Sequence, residues 1–352
     1  MNTPGLTMRA NGGVDLGLGH IVGAMRLGRL LEEAGTCSVT LRVNHDPGVE
    51  RILANTSLAV EYARTAEDQE DITSTIHAAL KRGDRGILFN YDKTGLDNRA
   101  SFFHEVKDAG LQLLFQDNPV PGACEHADLL INALPHPPYE GYDPASLAHV
   151  LEGLEYFLLD ESLIALRQNR RLGNTEAVRR ILVAMGGGDV NDLTSQVLRG
   201  LDQAGFEGEV DVVLGHANRN HESVRETLGK SKLNVVLSSA VSDMPQRIQA
   251  ADLGISALGL TTYEMAALGL PVILIPANVF NGVVAQEYVR QSGAALLSSV
   301  ERFVSDARWL IDDAEVRASM IRSGERIGTR RGEIVAAIAK TLAVVPAGDP
   351  LA

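Results

Sequence analysis

Short apolar runs alternate with amphipathic segments through the first 133 residues of the chain, and this is the pattern of strands and helices in turn. Several of the runs are rich in β-branched residues and are bounded by glycine or polar residues, which favours strands. Strands are predicted at Thr7–Ala10, Ser38–Val43, Leu58–Tyr62, Gly86–Tyr91, Leu111–Phe115 and Ala127–Ala133, and helices at His20–Ala34, Glu67–Lys81 and Asp97–Ala109.

The alternation stops at a proline-rich stretch, Pro135–Asp143, which predicts a loop. A polar, arginine-rich segment at Arg167–Arg180 then leads into a second series. In that series a helix is predicted at Asn191–Ala204, and strands are predicted at Ile181–Met185, Val210–Leu214, Asn234–Leu237, Leu253–Ser256, Pro271–Ile275 and Ala294–Leu297.

Strands that alternate with helices favour parallel sheets covered on both faces. The two series therefore predict an α/β protein with two Rossmann-like domains whose parallel sheets face across a cleft. We expect an N-terminal domain at 1–155, a linker at 156–178, a C-terminal nucleotide-binding domain at 179–328, and a C-terminal helix and tail at 329–352. Ligands of such sheets bind at the carboxyl ends of the strands.

The composition of this 352-residue chain limits the classes of partner that it is expected to bind. Its formal net charge of −13 argues against nucleic acid, which requires a basic face. No apolar run reaches the length of a membrane helix, and no secretion signal is visible, so a cytoplasmic protein is expected. The cysteines, Cys37 and Cys124, lack the spacing of a metal site. No cofactor or metal is predicted, and a monomer is favoured.

Three predicted strands run into glycine-containing turns that precede helices. Glycine lets backbone approach a ligand closely, and a helix N-terminus attracts anions, so these turns suit a diphosphate. None of them is a Walker loop, and Gly17-x-Gly19 lacks the third glycine of a dinucleotide fingerprint because residue 22 is Val. A single glycine turn after a strand is often only a tight structural connection, and it is the presence of three such turns at predicted strand ends that favours a ligand site. The turns are Gly17-Leu18-Gly19-His20, Gly186-Gly187-Gly188-Asp189 and Ser256-Ala257-Leu258-Gly259-Leu260-Thr261-Thr262.

Two side chains in these turns are candidates for chemistry. His20 stands at the start of its helix, and an imidazole there could serve as a general base or could simply bond backbone. Glu264 lies one turn inside the helix that follows Gly259, where a carboxylate could accept two ribose hydroxyls or could simply be favoured by the helix dipole.

The combined pattern resembles the PseG/SpsG-type nucleotide-sugar hydrolases, which are related to the N-acetylglucosaminyltransferase that makes lipid II and share its two-domain GT-B fold. The resemblance covers nearly the whole chain. It is carried by Gly17-x-Gly19-His20, Gly186-Gly187-Gly188-Asp189-x-Asn191, Ser256-x-x-Gly259-x-Thr261-x-x-Glu264-x-x-x-x-Gly269-x-Pro271, Gly153-x-x-Tyr156 and Ser242-Asp243-Met244.

The resemblance implies hydrolysis of UDP-2,4-diacetamido-2,4,6-trideoxy-β-L-altropyranose to UDP and the free sugar, a step toward pseudaminic acid. It implies that His20 activates water for inverting attack at the anomeric carbon. The backbone around Val241–Met244 would hold uracil, Glu264 the ribose, and Thr261 with Thr262 the diphosphate. Gly17, Gly19, Gly187, Gly188, Gly259 and Asn281 complete the expected binding residues.

The chain departs from the family pattern at several positions. Gly23 stands where the family usually has Arg, Asn90 ends a strand that often ends in a carboxylate, and Gly282 replaces Gln. An expected Asp pair is Gln116-Asp117. Three alternatives therefore stay open: a GT-B glycosyltransferase with a UDP-sugar donor, a non-catalytic nucleotide-sugar binding relative, and an epimerase of the same architecture. The sequence leaves the sugar, the acceptor and the oligomeric state undetermined.

Overall fold

The structure is a computed structural model that describes residues 3–13, 17–63, 69–90, 103–117, 126–136, 149–169, 177–215 and 217–343. These residues form two compact units. Unit 1 contains the described residues within 1–134, 138–158 and 330–352, and unit 2 contains those within 135–137 and 159–329. The C-terminal helix, predicted as a separate segment together with the tail, belongs to unit 1.

Unit 1 is built on a parallel sheet. Its seven described strands lie in the order β3-β2-β1-β4-β5-β6-β7, and every pair of neighbours is parallel. The elements are β1 (Gly5–Ala10), α1 (Gly19–Glu33), β2 (Ser38–Asn44), α2 (Pro47–Leu53), β3 (Ala59–Ala63), α3 (Gln69–Arg82), β4 (Asp84–Asn90), α4 (His104–Asp108), β5 (Gln112–Gln116), β6 (Leu129–Asn132), β7 (Val150–Glu152) and α13 (Arg331–Leu342).

The central strands of unit 1 are buried along most of their length because helices cover both faces. On the α3 and α4 face, Phe103 packs edge-on against both Phe89 and Phe115, with ring centroids 4.9 Å apart in each pair. Edge-to-face pairs of this kind add stability beyond the area they bury.

Unit 2 contains a second parallel sheet, of six described strands in the order β10-β9-β8-β11-β12-β13. One face of this sheet carries a core cluster that includes Val183, Val212 and Ile255, and on the opposite face Leu182 and Leu274 are also buried. The elements are α5 (Glu161–Asn169), β8 (Arg180–Ala184), α6 (Leu193–Ala204), β9 (Glu209–Leu214), α7 (His221–Leu228), β10 (Asn234–Ser239), α8 (Met244–Ala250), β11 (Leu253–Ser256), α9 (Leu260–Ala267), β12 (Val272–Leu274), α10 (Val279–Ser292), β13 (Ala295–Leu297), α11 (Phe303–Asp312) and α12 (Ala314–Gly324).

The predicted α/β class with two parallel sheets is confirmed. Sequence reasoning missed the short strand β7 and the helices α2 and α5, which lack a long apolar period. The predicted helix Asn191–Ala204 begins two residues later, at Leu193. Residues 137–143 of the predicted proline-rich loop, and residues 97–102 of the predicted helix Asp97–Ala109, lie outside the described residues.

Each strand order reverses direction at one point. In unit 1 this point lies between β1 and β4, and in unit 2 it lies between β8 and β11. At such a switch point the loops leave the two strands in opposite directions and open a crevice at their carboxyl ends, where doubly wound sheets bind their ligands. The loops after β1 and β4, and after β8 and β11, are therefore the places to look for function.

Candidate functional site

His20 lies at the switch point of unit 1. It is the second residue of α1, which follows β1, and its ring Nδ1 lies 2.6 Å from Oδ1 of Asn90, the last residue of β4. Asn90 is buried and His20 is half-buried. One ring nitrogen is thus fixed to the sheet, and no described residue hydrogen-bonds the other.

Glycines shape the loop that delivers His20. Gly17 has a φ of 74°, a left-handed conformation that strongly favours glycine, and its carbonyl accepts the Gly13 amide at 2.8 Å. A Cβ on Gly12 would lie 2.7 Å from Ile21 of α1, so glycine is required for this close approach. Gly17 and Gly19 are exposed. Asp15 of the same loop lies outside the described residues.

Gly23 lies one turn beyond His20 and faces the ends of two strands. A Cβ there would lie 3.3 Å from the side-chain nitrogens of both Asn90 and Gln116. Gln116 is buried, and its Oε1 has no partner among the described residues. Three of the positions at which the chain departs from the family pattern, Gly23, Asn90 and Gln116, are therefore neighbours, and the two strand ends beside Gly23 carry neutral amides.

Asp117, the other member of the expected acidic pair, has a structural role. Its φ is 58°, and its Oδ1 accepts the amides of Ala133 at 2.9 Å and Leu134 at 3.3 Å. The carboxylate thereby ties the end of β5 to the segment after β6, where it satisfies buried backbone donors.

A buried ion pair supports the carboxyl end of β1, and sequence reasoning missed it. The Arg9 Nε donates to both carboxylate oxygens of Asp71, each at 3.1 Å, and both side chains are fully buried. The same guanidinium donates to the Ala10 carbonyl at 2.7 Å and to the side chain of Asn11. The side chain of Asn11, which directly follows β1, is thus held by Arg9. The only sequence signal was an arginine inside an apolar strand.

The glycine loop of unit 2 begins at the end of β8. Gly186 has a φ of 86°, and Gly187 is exposed, with no described heavy atom within 4 Å of a Cβ built on either residue. On its inner side the loop is tightly packed. A Cβ on Gly215, which follows β9, would lie 2.4 Å from the Gly187 carbonyl oxygen. The backbone of this loop is therefore open on one side and supported by backbone on the other.

The turn that contains Gly188 and Asp189 was predicted to suit a diphosphate, but the Asp189 side chain itself takes part of that place. Its two carboxylate oxygens accept the amides of Leu193 at 2.8 Å and Thr194 at 3.0 Å, so the carboxylate itself occupies the N-terminus of α6. Burial raises the pKa of Asp189, and the hydrogen bonds from Thr194 and Leu193 oppose that rise. Since a negative group already satisfies these amides, the N-terminus of α6 is not an open anion site, and Gly187 and Gly188 offer the accessible backbone.

The loop after β11 carries Gly259, Thr261, Thr262 and Glu264. Gly259 is exposed and precedes α9, and Thr261 is half-buried in the first turn. Thr262 is fully buried, and its hydroxyl donates to the Ala257 carbonyl at 2.7 Å. That hydroxyl therefore holds the turn together rather than facing outward. Glu264 is largely buried, at 8% exposure.

Val241 lies between β10 and α8, Met244 is the first residue of α8, and both are half-buried. Arg247 braces this segment, because its guanidinium donates to Asp243 at 2.9 Å and to the buried Asp211 of β9 at 2.6 Å. The hydrogen bond from Arg247 lowers the pKa of Asp243, so that carboxylate stays ionised. The loop backbone is thus anchored to the sheet by two charge-assisted hydrogen bonds.

Asn281 lies in the first turn of α10, after β12. Its backbone N–H donates to the side-chain oxygen of Asn278 at 2.8 Å, so Asn278 caps the helix. The Asn191 side chain donates to the Ala277 carbonyl at 2.5 Å and so connects the glycine loop to the approach to α10. The predicted residues of unit 2 therefore share the carboxyl edge of one sheet, whereas Gly17, Gly19 and His20 belong to unit 1.

Within the described ranges, no cluster of three or more His, Cys, Asp or Glu side chains has the arrangement of a metal site. Among the same residues, no helix is both long enough and apolar enough to cross a membrane.

The sequence of the chain is similar to one known domain family and to several known proteins. Residues 180–302 match the model of the glycosyltransferase family 28 C-terminal domain. The chain is 26% identical over 315 residues to the spore coat polysaccharide biosynthesis protein SpsG of Bacillus subtilis, covering 88% of each chain. It is 23% identical to an uncharacterized protein of Methanocaldococcus jannaschii, covering 80% of this chain but spanning only 57% of that protein's length.

Among solved structures, MurG of Acinetobacter baumannii superposes with a TM-score of 0.67 and 16% identity, covering 96% of this chain and 99% of that one. At 16% sequence identity, this similarity shows a shared fold and nothing about function. The chain therefore has the GT-B fold, carries a family 28 glycosyltransferase C-terminal domain at residues 180–302, and is a distant relative of SpsG.

Proposed function

We propose that the chain hydrolyses a UDP-sugar to UDP and a free amino-deoxy sugar, with His20 as the general base. The observation that carries the proposal is the place of His20 at the switch point of unit 1, with Nδ1 fixed by Asn90 at 2.6 Å. In this reaction the oxygen of water bonds to the anomeric carbon, the water proton passes to His20, and the bond to the UDP oxygen breaks. Direct attack inverts the anomeric centre.

The residues of unit 2 would hold the nucleotide. Exposed backbone at Gly187 and Gly259 and half-buried backbone at Gly188, together with the amides of the first turn of α9, suit a diphosphate. Because the Thr262 hydroxyl is engaged with Ala257, we assign the hydroxyl contact to Thr261.

The remaining nucleotide contacts follow the resemblance. Glu264 would accept the ribose hydroxyls, backbone at Val241–Met244 would hold uracil, and Asn281 would contact the substrate from α10. No step requires a metal, since UDP is a good leaving group whose growing charge the backbone amides can stabilise.

The relatives support this reaction class in different ways. SpsG is named for spore coat polysaccharide biosynthesis, which is compatible with sugar-nucleotide chemistry. A role in pseudaminic-type nonulosonic acid biosynthesis rests on the sequence resemblance alone. The second candidate is a glycosyltransferase, and the match of residues 180–302 to a glycosyltransferase domain favours it.

Incubation with a panel of UDP-sugars in ¹⁸O-labelled water separates these functions. Hydrolysis at carbon releases UDP without an added acceptor and places the label in the sugar. Label in UDP would contradict attack at the anomeric carbon. UDP release that requires an added sugar or lipid would establish the transferase, and UDP binding without release would establish a binding protein.

A further inference from the structure

Two hydrogen bonds join Asn90 to His20. The Asn90 Oδ1 lies 2.6 Å from the ring Nδ1, and the Asn90 Nδ2 donates to the His20 main-chain carbonyl at 3.4 Å. Asn90 is 1% exposed at the end of β4, so this amide is held in place by the sheet as well as by its partner.

The carbonyl contact decides which way the amide points. A main-chain carbonyl oxygen can only accept, so the amide nitrogen must face it, and a flipped amide would set two acceptors against each other. The Asn90 Oδ1 therefore faces the ring. Because an amide oxygen also only accepts, the ring Nδ1 must carry a hydrogen. In a neutral imidazole the lone pair then lies on Nε2, the nitrogen that no described residue binds.

The charged groups on the neighbouring elements are engaged elsewhere. Arg26 of α1 donates to the Leu158 carbonyl at 3.1 Å, and Asp117 after β5 accepts the amides of Ala133 and Leu134. Asp46 caps α2 by accepting the Gly48 amide at 2.7 Å. On β1, Arg9 is paired with Asp71 of α3.

The side chain that faces His20 from β4 is the neutral amide Asn90, and the Gln116 side chain of β5, also a neutral amide, lies beside Gly23 one turn further along α1. A carboxylate at position 90 would instead attract a proton to the ring and oppose its return to solvent.

We propose that Asn90 is a positioning residue that holds His20 as the Nδ1–H tautomer, with Nε2 as the proton acceptor, without adding a charge that would keep the ring protonated. This role rests on the proposed function, because an acceptor at Nε2 matters for the activation of water. It concerns a position at which this chain differs from the family pattern, and Asn90 acts through His20 rather than on the substrate.

The tautomer can be measured without turnover. Long-range ¹H–¹⁵N spectra of protein with ¹⁵N-labelled histidine, assigned by the loss of signals in His20→Gln, distinguish a protonated from an unprotonated ring nitrogen. We expect Nδ1 to be protonated and Nε2 unprotonated in the neutral wild-type ring. In Asn90→Leu, which removes the acceptor, the Nε2–H tautomer should appear. An Nε2–H tautomer in the wild type would overturn the proposal.

A charge substitution supplies the second measurement. In Asn90→Asp the pH at which the His20 signals titrate should rise by about 1–3 units, since a carboxylate would lie within hydrogen-bond distance of the ring. The acidic limb of the pH profile for UDP release should move by the same amount. The control is Ser38→Asp, which adds the same charge at the exposed amino end of β2. If the His20 signals change at the same pH in Asn90→Asp and in Ser38→Asp, the proposal is contradicted.

Kinetics separate this role from a purely structural one. Asn90→Leu should lower kcat for UDP release by about 10²-fold or more, with a smaller change in KM, because general-base catalysis is lost while nucleotide binding is kept. A change in KM alone would overturn the role. If wild-type protein releases no UDP from any UDP-sugar, the hydrolase proposal fails, and the spectra still decide the tautomer.

Discussion

Gly215 gives the sharpest test of how the glycine loop is supported. A Cβ at this position would lie 2.4 Å from the Gly187 oxygen and 2.5 Å from both the Gly186 oxygen and the Gly187 Cα. All three are backbone atoms, so no side-chain rotation relieves the clash and the loop must move by about 1 Å to restore ordinary contact. The Ala217 amide, which donates to the Gly187 carbonyl at 3.1 Å, moves with it.

The substitution Gly215→Ala should therefore have two effects. Overpacking should lower the free energy of unfolding by about 1–3 kcal/mol, measured by urea denaturation. Displacement of one amide from a charged phosphate should weaken UDP binding by about 1.5–3 kcal/mol, which is roughly 10–100-fold in Kd by titration calorimetry.

The control is Gly229→Ala at the end of α7, where the nearest described atoms to a new Cβ are the Arg225 and Glu226 carbonyl oxygens at 3.6 Å, an ordinary contact. If Gly215→Ala has the same free energy of unfolding and the same Kd for UDP as Gly229→Ala, the predicted backbone clash does not occur. Loss of stability in Gly215→Ala with wild-type UDP affinity would instead show that this loop does not contact the nucleotide.

Two further predictions concern unit 1. Arg9→Met should lower the free energy of unfolding by about 3–5 kcal/mol, because it removes the cation of a buried ion pair and keeps the Asp71 carboxylate, and Arg9→Met/Asp71→Leu should recover part of that loss in the same urea titration. Equal destabilisation of the single and double variants would contradict this reading. Burial, with smaller contributions from the negative Glu32 and Asp84, raises the pKa of Cys37 from 9.0 to about 12. In a Cys124→Ser background, iodoacetamide at pH 8 should therefore alkylate native Cys37 at least about 10³-fold more slowly than the unfolded chain, and comparable rates would show that the thiol is accessible.

The sequence predicted the elements of unit 2 that form the carboxyl edge of the sheet, because glycine turns after apolar runs mark strand ends in any parallel α/β fold. It also predicted that His20 follows the first strand. These features depend on local pattern, which a single chain displays directly. The functional roles of His20, Glu264, Thr261 and the other site residues stay predictions.

The features that could not be predicted from the sequence depend on contacts between residues that are far apart in the chain. The capping of α6 by Asp189, the inward hydroxyl of Thr262 and the packing of Gly215 on Gly187 each depend on segments that meet only in the folded chain. The same holds for Asn90, since the end of β4 reaches His20 from 70 residues away. Sequence alone marks Asn90 as a departure from the family pattern but does not give its partner.

The rate of UDP release by His20→Ala tests the central claim most directly. The control is His45→Ala, which removes a histidine whose side chain is 65% exposed and stacks on Tyr62. We predict that His20→Ala lowers kcat by about 10²–10⁴-fold with the Kd for UDP unchanged, while His45→Ala keeps the wild-type rate. A His20→Ala protein that releases UDP at the wild-type rate would contradict the account.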